Sequence, residues 1–351
     1  MTRKPILVLS HHQSGEGTPL ASLWFSQQAC RQNGLDLEFA WTARGSDLRN
    51  FMKSRRILFD GIYAVRNDWG PIYYRLARLL KKQIAVYWHE TEWNINRALS
   101  WQPRGRHILY SPGSVRHSMG NRRVAHFHVC SYGLELLQRS YNVAKDRTYL
   151  LHNITDSRRL LAYTLPLPRT PGLFVAIGTA SERKGTDLFL DIAAKVVAVR
   201  PEAKFVWIGG FYSGFSKKEL ETIVAAKGLT DQVIFTGYQG NPIEIMAQAE
   251  TILLTSRDDP MPKVLMEGLA LGKKCIAFGI GGVSELLGSC GVVIPPGDTA
   301  AFAQALHNIS GKQDDDQAQH QRRARYLEKY SNEAFGRNFA QAVAWWDGFY
   351  S

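Results

Sequence analysis

Short apolar runs rich in β-branched and aromatic residues alternate along the chain with longer segments of helical period. These runs predict six strands in each half of the chain: Ile6–Ser10, Leu35–Ala40, Ile57–Val65, Ile84–Trp88, Val124–Ser131, Thr148–Leu151, Leu173–Ile177, Phe205–Ile208, Val233–Phe235, Ile252–Leu254, Cys275–Phe278 and Val292–Ile294. Continuous apolar strands separated by helices are typical of parallel sheets that are covered on both faces. The pattern therefore predicts an α/β protein.

The chain of 351 residues is longer than a single hydrophobic core usually organises, which predicts two domains. A proline-rich stretch at residues 164–171 reads as a stiff linker between them. The predicted domains are residues 1–165 and 170–334, and the aromatic amphipathic segment 335–351 is expected to pack back onto the first domain. Ligands are expected at the carboxyl ends of the strands, in the cleft between the domains.

Charge is distributed unevenly. Residues 1–168 hold 24 Lys and Arg against 11 Asp and Glu, whereas residues 169–351 hold 19 against 20. The net charge of +12 therefore comes from the first half, and it favours an anionic partner there. An anionic membrane surface, an anionic acceptor molecule and nucleic acid each satisfy this charge, as does a merely soluble basic surface. Nucleic acid is disfavoured because no nucleic-acid-binding motif accompanies the basic residues.

Several classes of protein are excluded on composition. No apolar run approaches the roughly 18 residues of a membrane span, and the apolar run after the N-terminus is too short for a signal peptide. The four cysteines have neither metal-ligand spacing nor the density of a disulfide scaffold. We therefore expect a cytoplasmic protein without a metal site.

The segment 255–268 carries the most distinctive candidate chemistry. It follows a predicted strand, and Pro262 suits the first turn of the helix that begins there. The N–H groups of Lys263 and Val264 would then form an anion site, with Asp259 before the turn. Glu267 would lie roughly 7.5 Å along the helix axis from Pro262. The spacing fits a diphosphate flanked by two carboxylates, and it equally fits a surface helix with a solvated Lys263–Glu267 pair.

At this point the sequence resembles the retaining glycosyltransferases of family 4. Their signature places an acid, seven residues and then Glu, and Asp259-Pro-Met-Pro-Lys-Val-Leu-Met-Glu267 keeps that spacing with Asp as the first acid. The resemblance implies the GT-B fold of two facing Rossmann-like domains with an inter-domain cleft. It implies that Asp259 contacts the transferred sugar, that Glu267 holds the nucleotide ribose, and that the turn Met261, Pro262, Lys263 and Val264 lies against the donor.

A second similarity lies at residues 177–187, where Ile-Gly-Thr-Ala-Ser-Glu-Arg-Lys-Gly-Thr-Asp resembles the family's V-G-R-x-x-x-x-K-G-x-D. The resemblance implies that Gly178 lines the donor site and that Lys184 binds the pyrophosphate, where negative charge grows on the leaving group. Thr179 stands where the family has Arg, and Arg183 is a candidate to compensate. Read alone, the segment is a basic pair in a loop before a helix.

Three weaker similarities complete the predicted site. His89 follows a first-half strand, where the family often has a His that reaches the donor sugar, although a histidine at a strand end is more often structural. Gly15 and Gly17 follow the first strand, where glycines let a backbone approach a ligand closely. Tyr238 ends a Phe-Thr-Gly-Tyr segment that the family also shows.

The resemblance implies transfer of a sugar from a nucleoside diphosphate to an acceptor hydroxyl, with retention of configuration and no obligate metal or cofactor. The expected acceptor is a saccharide or lipid-linked saccharide in glycoconjugate synthesis, with the protein in the cytoplasm or peripheral on the inner face of a membrane. The alternatives are an epimerase or phosphorylase of the same fold and a binding-only relative.

Overall fold

A computed structural model of the chain describes residues 6–10, 31, 34, 37–41, 61–64, 83–88, 124–309 and 315–350. The described strands are β1 Ile6–Ser10, β2 Leu37–Trp41, β3 Gly61–Ala64, β4 Gln83–Trp88, β5 Val124–His128, β6 Thr148–Leu150, β7 Leu173–Ile177, β8 Lys204–Ile208, β9 Val233–Gly237, β10 Thr251–Leu254, β11 Lys274–Phe278 and β12 Val292–Ile294. Each of these corresponds to one predicted strand. Where the flanking residues are described, the predicted ends differ by at most three residues, as at β5, which ends at His128 and not at Ser131.

Ten α-helices are described in the same residues: α1 Ser131–Ser140, α2 Ser157–Leu161, α3 Thr186–Val197, α4 Lys217–Ala226, α5 Pro242–Gln248, α6 Lys263–Ala270, α7 Val283–Leu287, α8 Thr299–Ile309, α9 Asp316–Lys329 and α10 Asn332–Tyr350. None of the helices described by the structure is long and apolar enough to cross a membrane.

The chain divides into two compact units. The first comprises residues 1–156 and 329–351, and the second comprises residues 157–328. The proline-rich stretch belongs to the second unit: Lys273 donates from Nζ to the carbonyl of Pro168 at 2.8 Å. The backbone N–H of Leu167 donates to Gln319 at 2.9 Å.

The first unit contains a parallel sheet with the strand order β2-β1-β3-β4-β5-β6. Helix α10 contributes its tryptophans to this unit. Trp345 lies 5.1 Å from Tyr149 and 5.7 Å from Phe127 between ring centroids, and Trp346 packs edge-on against Phe127. The aromatic pattern of the C-terminal segment therefore serves core packing in this unit.

The second unit contains a parallel sheet with the order β12-β11-β10-β7-β8-β9. Its core is aromatic: Phe174, Phe189, Phe205 and Trp207 are buried together with aliphatic side chains from the covering helices. Phe189 of α3 lies 5.1 Å from Trp207 and 5.7 Å from Phe205 between ring centroids. Because the central strands β7, β8, β10 and β11 are buried along most of their length, each is a nearly continuous apolar run in the sequence.

Candidate functional site

The centre of the second sheet is the point where the order of its strands reverses. From β7 the chain proceeds to β8 and β9 on one side, and β10, β11 and β12 lie on the other. β7 and β10 pair directly, with Ala176 opposite Leu253. The loops that leave their carboxyl ends therefore start side by side, at the position where open α/β sheets bind ligands. We call residues 178–185 the lysine loop and residues 255–262 the acid loop.

An ion pair joins the two loops. Nζ of Lys184 lies 2.5 Å from Oδ2 of Asp259, and the two side chains are only 18% and 12% exposed. An ammonium and a carboxylate at this distance form a charge-assisted hydrogen bond, which partial burial strengthens relative to a solvated pair. The two residues that the sequence analysis placed in separate motifs are therefore direct partners.

Further hydrogen bonds hold the loops together. Arg183 donates from one guanidinium nitrogen to the backbone carbonyl of Asp258 at 2.8 Å. The hydroxyl of Thr255 donates towards the carbonyls of Lys184 and Gly185, at 3.2 and 3.0 Å. Gly185 is left-handed, and a Cβ there would collide with the carbonyl of Thr255. The Lys-Gly sequence thus meets a steric requirement of this close approach.

The aromatic core supports the start of the lysine loop. The indole N–H of Trp207 donates to the carbonyl of Gly178 at 2.8 Å. Gly178 has a positive φ of 153°, and its own N–H donates to the carbonyl of Ile208 at 2.9 Å. The site is therefore built directly on packed strands, which favours a fixed loop conformation.

Helix α6 carries Glu267 away from the acid loop. Glu267 and Lys263 are half-buried and one helical turn apart. Burial raises the pKa of the Glu267 carboxyl, and the positive charges of Lys263 and Arg159 oppose this shift. Burial also lowers the pKa of the Lys263 ammonium, against the attraction of Glu267. The Lys263–Glu267 pair is thus less solvated than a surface helix would make it.

The other predicted donor-site residues differ in their exposure, and three of them lie outside the described residues. Met261, Pro262 and Val264 are buried, so their side chains pack inward and a ligand would meet their backbone. Tyr238 follows β9 at the same sheet edge and is 77% exposed. His89, Gly15 and Gly17 lie outside the described residues.

Two residues of this region were not singled out from the sequence. Arg257 in the acid loop bonds the lysine loop and α3, and Arg159 of α2 donates to the Asn241 side chain at 2.9 Å while its charge acts on Glu267. Both contact residues at least 70 positions away, so no local spacing marks them. Among the residues that the structure describes, no group of three or more His, Cys, Asp or Glu side chains is placed to hold a metal ion.

Solved structures identify the architecture. An Anabaena protein, Alr3699/HepE in complex with UDP, is 15% identical and superposes with a TM-score of 0.75, over 97% of this chain and 99% of that one. WaaG, a glycosyltransferase involved in lipopolysaccharide biosynthesis, is 13% identical with a TM-score of 0.69, over 96% and 99%. The chain has the GT-B fold.

The sequence relatives of this GT-B chain match a smaller share of it than the solved structures do. Residues 171–311 match a family model described as glycosyl transferases group 1. An α-D-kanosaminyltransferase of Streptomyces kanamyceticus is 27% identical over 137 residues, which is 38% of this chain and 35% of that protein. The lipopolysaccharide core biosynthesis glycosyltransferase LpsD of Rhizobium meliloti (strain 1021) is 28% identical over 192 residues, 51% and 52% of the two chains. The chain thus matches about half or less of these relatives.

The matched segment contains both loops and α6 of the GT-B chain. The similarity to the glycosyl transferases group 1 model therefore lies in the unit that carries the Lys184–Asp259 pair.

Proposed function

We propose that the protein is a glycosyltransferase that moves a sugar from a nucleoside-diphosphate sugar to an acceptor hydroxyl. The observation that carries this proposal is the half-buried Lys184–Asp259 pair at the reversal point of the second sheet, next to the helix that bears Glu267. A cation held at this edge suits a diphosphate, and a carboxylate beside it suits sugar hydroxyls.

In this proposal Lys184 and Asp259 form a preformed site. Asp259 neutralises Lys184 while no donor is bound, and the donor's diphosphate takes its place as the counter-ion. Asp259 then accepts hydrogen bonds from the transferred sugar, and Glu267 accepts them from the ribose hydroxyls. Arg183, whose guanidinium is anchored on the Asp258 carbonyl, adds positive charge beside Lys184.

We propose that transfer retains anomeric configuration, as the likeness to family 4 implies. The bond between the anomeric carbon and the diphosphate oxygen breaks while the acceptor oxygen bonds to the same face of that carbon. The acceptor's proton passes to the departing diphosphate. Lys184 and Arg183 stabilise the charge that grows on the leaving group, and the two loops fix the geometry. NMR of the product's anomeric proton tests retention, and an inverted product would refute it.

We further propose a saccharide or lipid-linked saccharide as acceptor, presented at an anionic membrane surface that the basic first half binds. LpsD and two other Rhizobium meliloti relatives are named for lipopolysaccharide core biosynthesis, which supports this class of acceptor. The test is sedimentation with vesicles at low and at high salt. The vesicles contain about 30% anionic lipid, which gives their surface a negative potential. Absence of binding at low salt would refute the membrane component alone.

The donor assignment is tested by thermal stabilisation across UDP, GDP, ADP and dTDP. A ligand that binds only the native state raises the free energy of unfolding, by about 2.7 kcal/mol at a ligand concentration of 100 times its Kd. The melting temperature rises as a consequence. We expect one nucleotide to stabilise the wild type well above the others. If none of the four stabilised it, the proposed function would be wrong.

Thr179 stands where the family-4 motif that residues 177–187 resemble has Arg, which favours a binding-only protein as the second candidate. Nucleotide binding without turnover of any UDP-sugar towards saccharide acceptors would support that candidate. An epimerase or phosphorylase of the same fold would be recognised by its products in the absence of acceptor.

A further inference from the structure

We infer that Arg257 and Asp187 form a clamp that positions Lys184, a role that rests on the proposed function of the Lys184 site. Arg257 donates through both terminal nitrogens to the Asp187 carboxylate, at 2.7 and 2.6 Å. One of these nitrogens also donates to the carbonyl of Glu182 at 2.8 Å. A planar guanidinium with two such contacts fixes direction as well as distance.

The backbone of Arg257 completes the clamp. Its N–H donates to the carbonyl of Arg183 at 2.9 Å, one residue before Lys184. Arg257 therefore holds the lysine loop at Glu182 and at Arg183, and it holds the helix that follows the loop at Asp187. Lys184 lies between these anchor points, so the backbone on both sides of it is held in place.

The electrostatics of the pair agree with this geometry. Burial would raise the pKa of the Asp187 carboxyl, but the hydrogen bonds and charge of Arg257, with backbone N–H groups at the start of α3, lower it. Asp187 is thus charged and engaged with Arg257 throughout the neutral range. The side chains are 32% and 48% exposed, so simple ion pairing here contributes little to stability. Positioning of the loop is the effect that these contacts are arranged to produce.

The clamp also bears on Thr179, which stands where the family motif that the lysine loop resembles has Arg. Thr179 supplies no cation, and Arg183 is anchored on the acid loop. Lys184 is then the residue on which phosphate binding depends most, and its placement matters correspondingly. Arg257 acts on Lys184 through Glu182, Arg183 and Asp187, so it is a positioning residue and not a catalytic one.

The experiment uses the full chain and two matched pairs of variants. Arg257→Gln and Asp187→Asn break the clamp. Lys227→Gln and Asp191→Asn break a second exposed ion pair of the same helix, where Nζ of Lys227 lies 2.7 Å from Asp191 at 36% and 44% exposure. Calorimetric titration with UDP is expected to show about tenfold weaker binding in each clamp variant, equivalent to about 1.4 kcal/mol. The control variants are expected to bind like the wild type.

Coupling to Lys184 distinguishes positioning from a general structural role. In a Lys184→Ala background, Arg257→Gln is expected to cause little further loss of UDP affinity, because the residue it positions is gone. A full additional tenfold loss in that background would overturn the clamp. Arg257→Lys, which keeps the charge but not the two-pronged geometry, should recover only part of the affinity.

Hydrogen exchange of the ligand-free protein provides a readout that does not depend on donor binding. Arg257→Gln should accelerate exchange at residues 182–186, and Lys227→Gln should leave that segment unchanged. If the wild type failed to bind UDP but this exchange pattern held, the clamp would stand and the use of UDP would fall. Unchanged exchange in Arg257→Gln would overturn the clamp whatever the nucleotide result.

Discussion

Two sets of cations at opposite edges of the second sheet have different kinds of partner. At the amino edge, arginines of α9 donate to backbone carbonyls: Arg322 to Gly272 at 2.8 Å, and Arg323 to Ala270 at 2.6 Å and to Tyr163 at 2.8 Å. At the carboxyl edge, Lys184 is instead paired with the side chain of Asp259.

The kind of partner separates contacts that serve stability from contacts that leave a site available. The carbonyls at the amino edge belong to the end of α6 and the segments around it, where cations also complement the helix dipole. No ligand can replace a backbone carbonyl without disturbing the fold. A carboxylate counter-ion, in contrast, can be replaced by a phosphate of the same sign. Variants at the two edges should therefore separate ligand binding from stability.

The largest effect is expected from Glu267→Ala at the carboxyl edge. Loss of the proposed ribose acceptor should weaken UDP binding at least ~100-fold, because hydrogen bonds to charged groups contribute about 1.5–3 kcal/mol each. The variant should keep a cooperative thermal transition, as judged by circular dichroism. Wild-type UDP affinity in a folded Glu267→Ala protein would show that Glu267 does not contribute to UDP binding.

Arg323→Met at the amino edge should lower stability and leave UDP affinity nearly unchanged. This variant keeps the apolar stem but loses two charge-assisted hydrogen bonds to carbonyls, which should cost about 1–3 kcal/mol of unfolding free energy. UDP affinity should stay within about twofold of the wild type at temperatures where the variant is folded. Urea denaturation gives the first quantity and calorimetry the second. Stability unchanged with weaker UDP binding would reverse the roles given to the two edges.

A pH series tests the charge state of Glu267. Because burial raises its pKa above the ordinary glutamate value, the carboxylate is lost on acidification earlier than for an exposed glutamate. UDP affinity should therefore be highest above the raised pKa and fall as pH decreases through it, by about tenfold per pH unit at most. Glu267→Gln should bind more weakly and show a flatter profile. An identical pH dependence in Glu267→Gln would assign the titration to another group.

The smallest effect is expected from Trp207→Phe. The variant keeps an aromatic ring in the core but removes the N–H that bonds the Gly178 carbonyl. We expect a loss of about 1 kcal/mol in unfolding free energy and a UDP affinity lowered by only a few fold. A UDP affinity lowered as strongly as in Glu267→Ala would show that the start of the lysine loop controls the site more than its end.

The sequence predicted the strands well because the central strands of the second sheet, β7, β8, β10 and β11, are buried along most of their length and are therefore compact apolar runs. Strand ends were less accurate, since the predicted strand at residues 124–131 continues beyond His128, where β5 ends. The two loops were found through their resemblance to family-4 motifs. The structure gives a physical reason for two of their residues: Gly185 fits against Thr255 where a Cβ would collide, and Pro262 directly precedes α6.

Pairings between distant segments were not predictable in the same way. The Lys184–Asp259 contact and the Arg257–Asp187 clamp arise because β7 and β10 are neighbours, which depends on the order of strands in the sheet and not on either segment alone. Arg257 stands in a polar loop without periodicity, so nothing local distinguishes it from a solvated arginine. The roles predicted for His89, Gly15 and Gly17 remain predictions.

The most direct test of the exchange of counter-ions at Lys184 is a calorimetric comparison of UDP binding by the wild type, Lys184→Ala and Asp259→Asn. If the diphosphate replaces Asp259 as the partner of Lys184, Lys184→Ala should bind UDP about 10- to 100-fold more weakly. Asp259→Asn should bind UDP as tightly as the wild type or more tightly, because the competing anion is gone. Weaker UDP binding in Asp259→Asn, or unchanged binding in Lys184→Ala, would contradict this account.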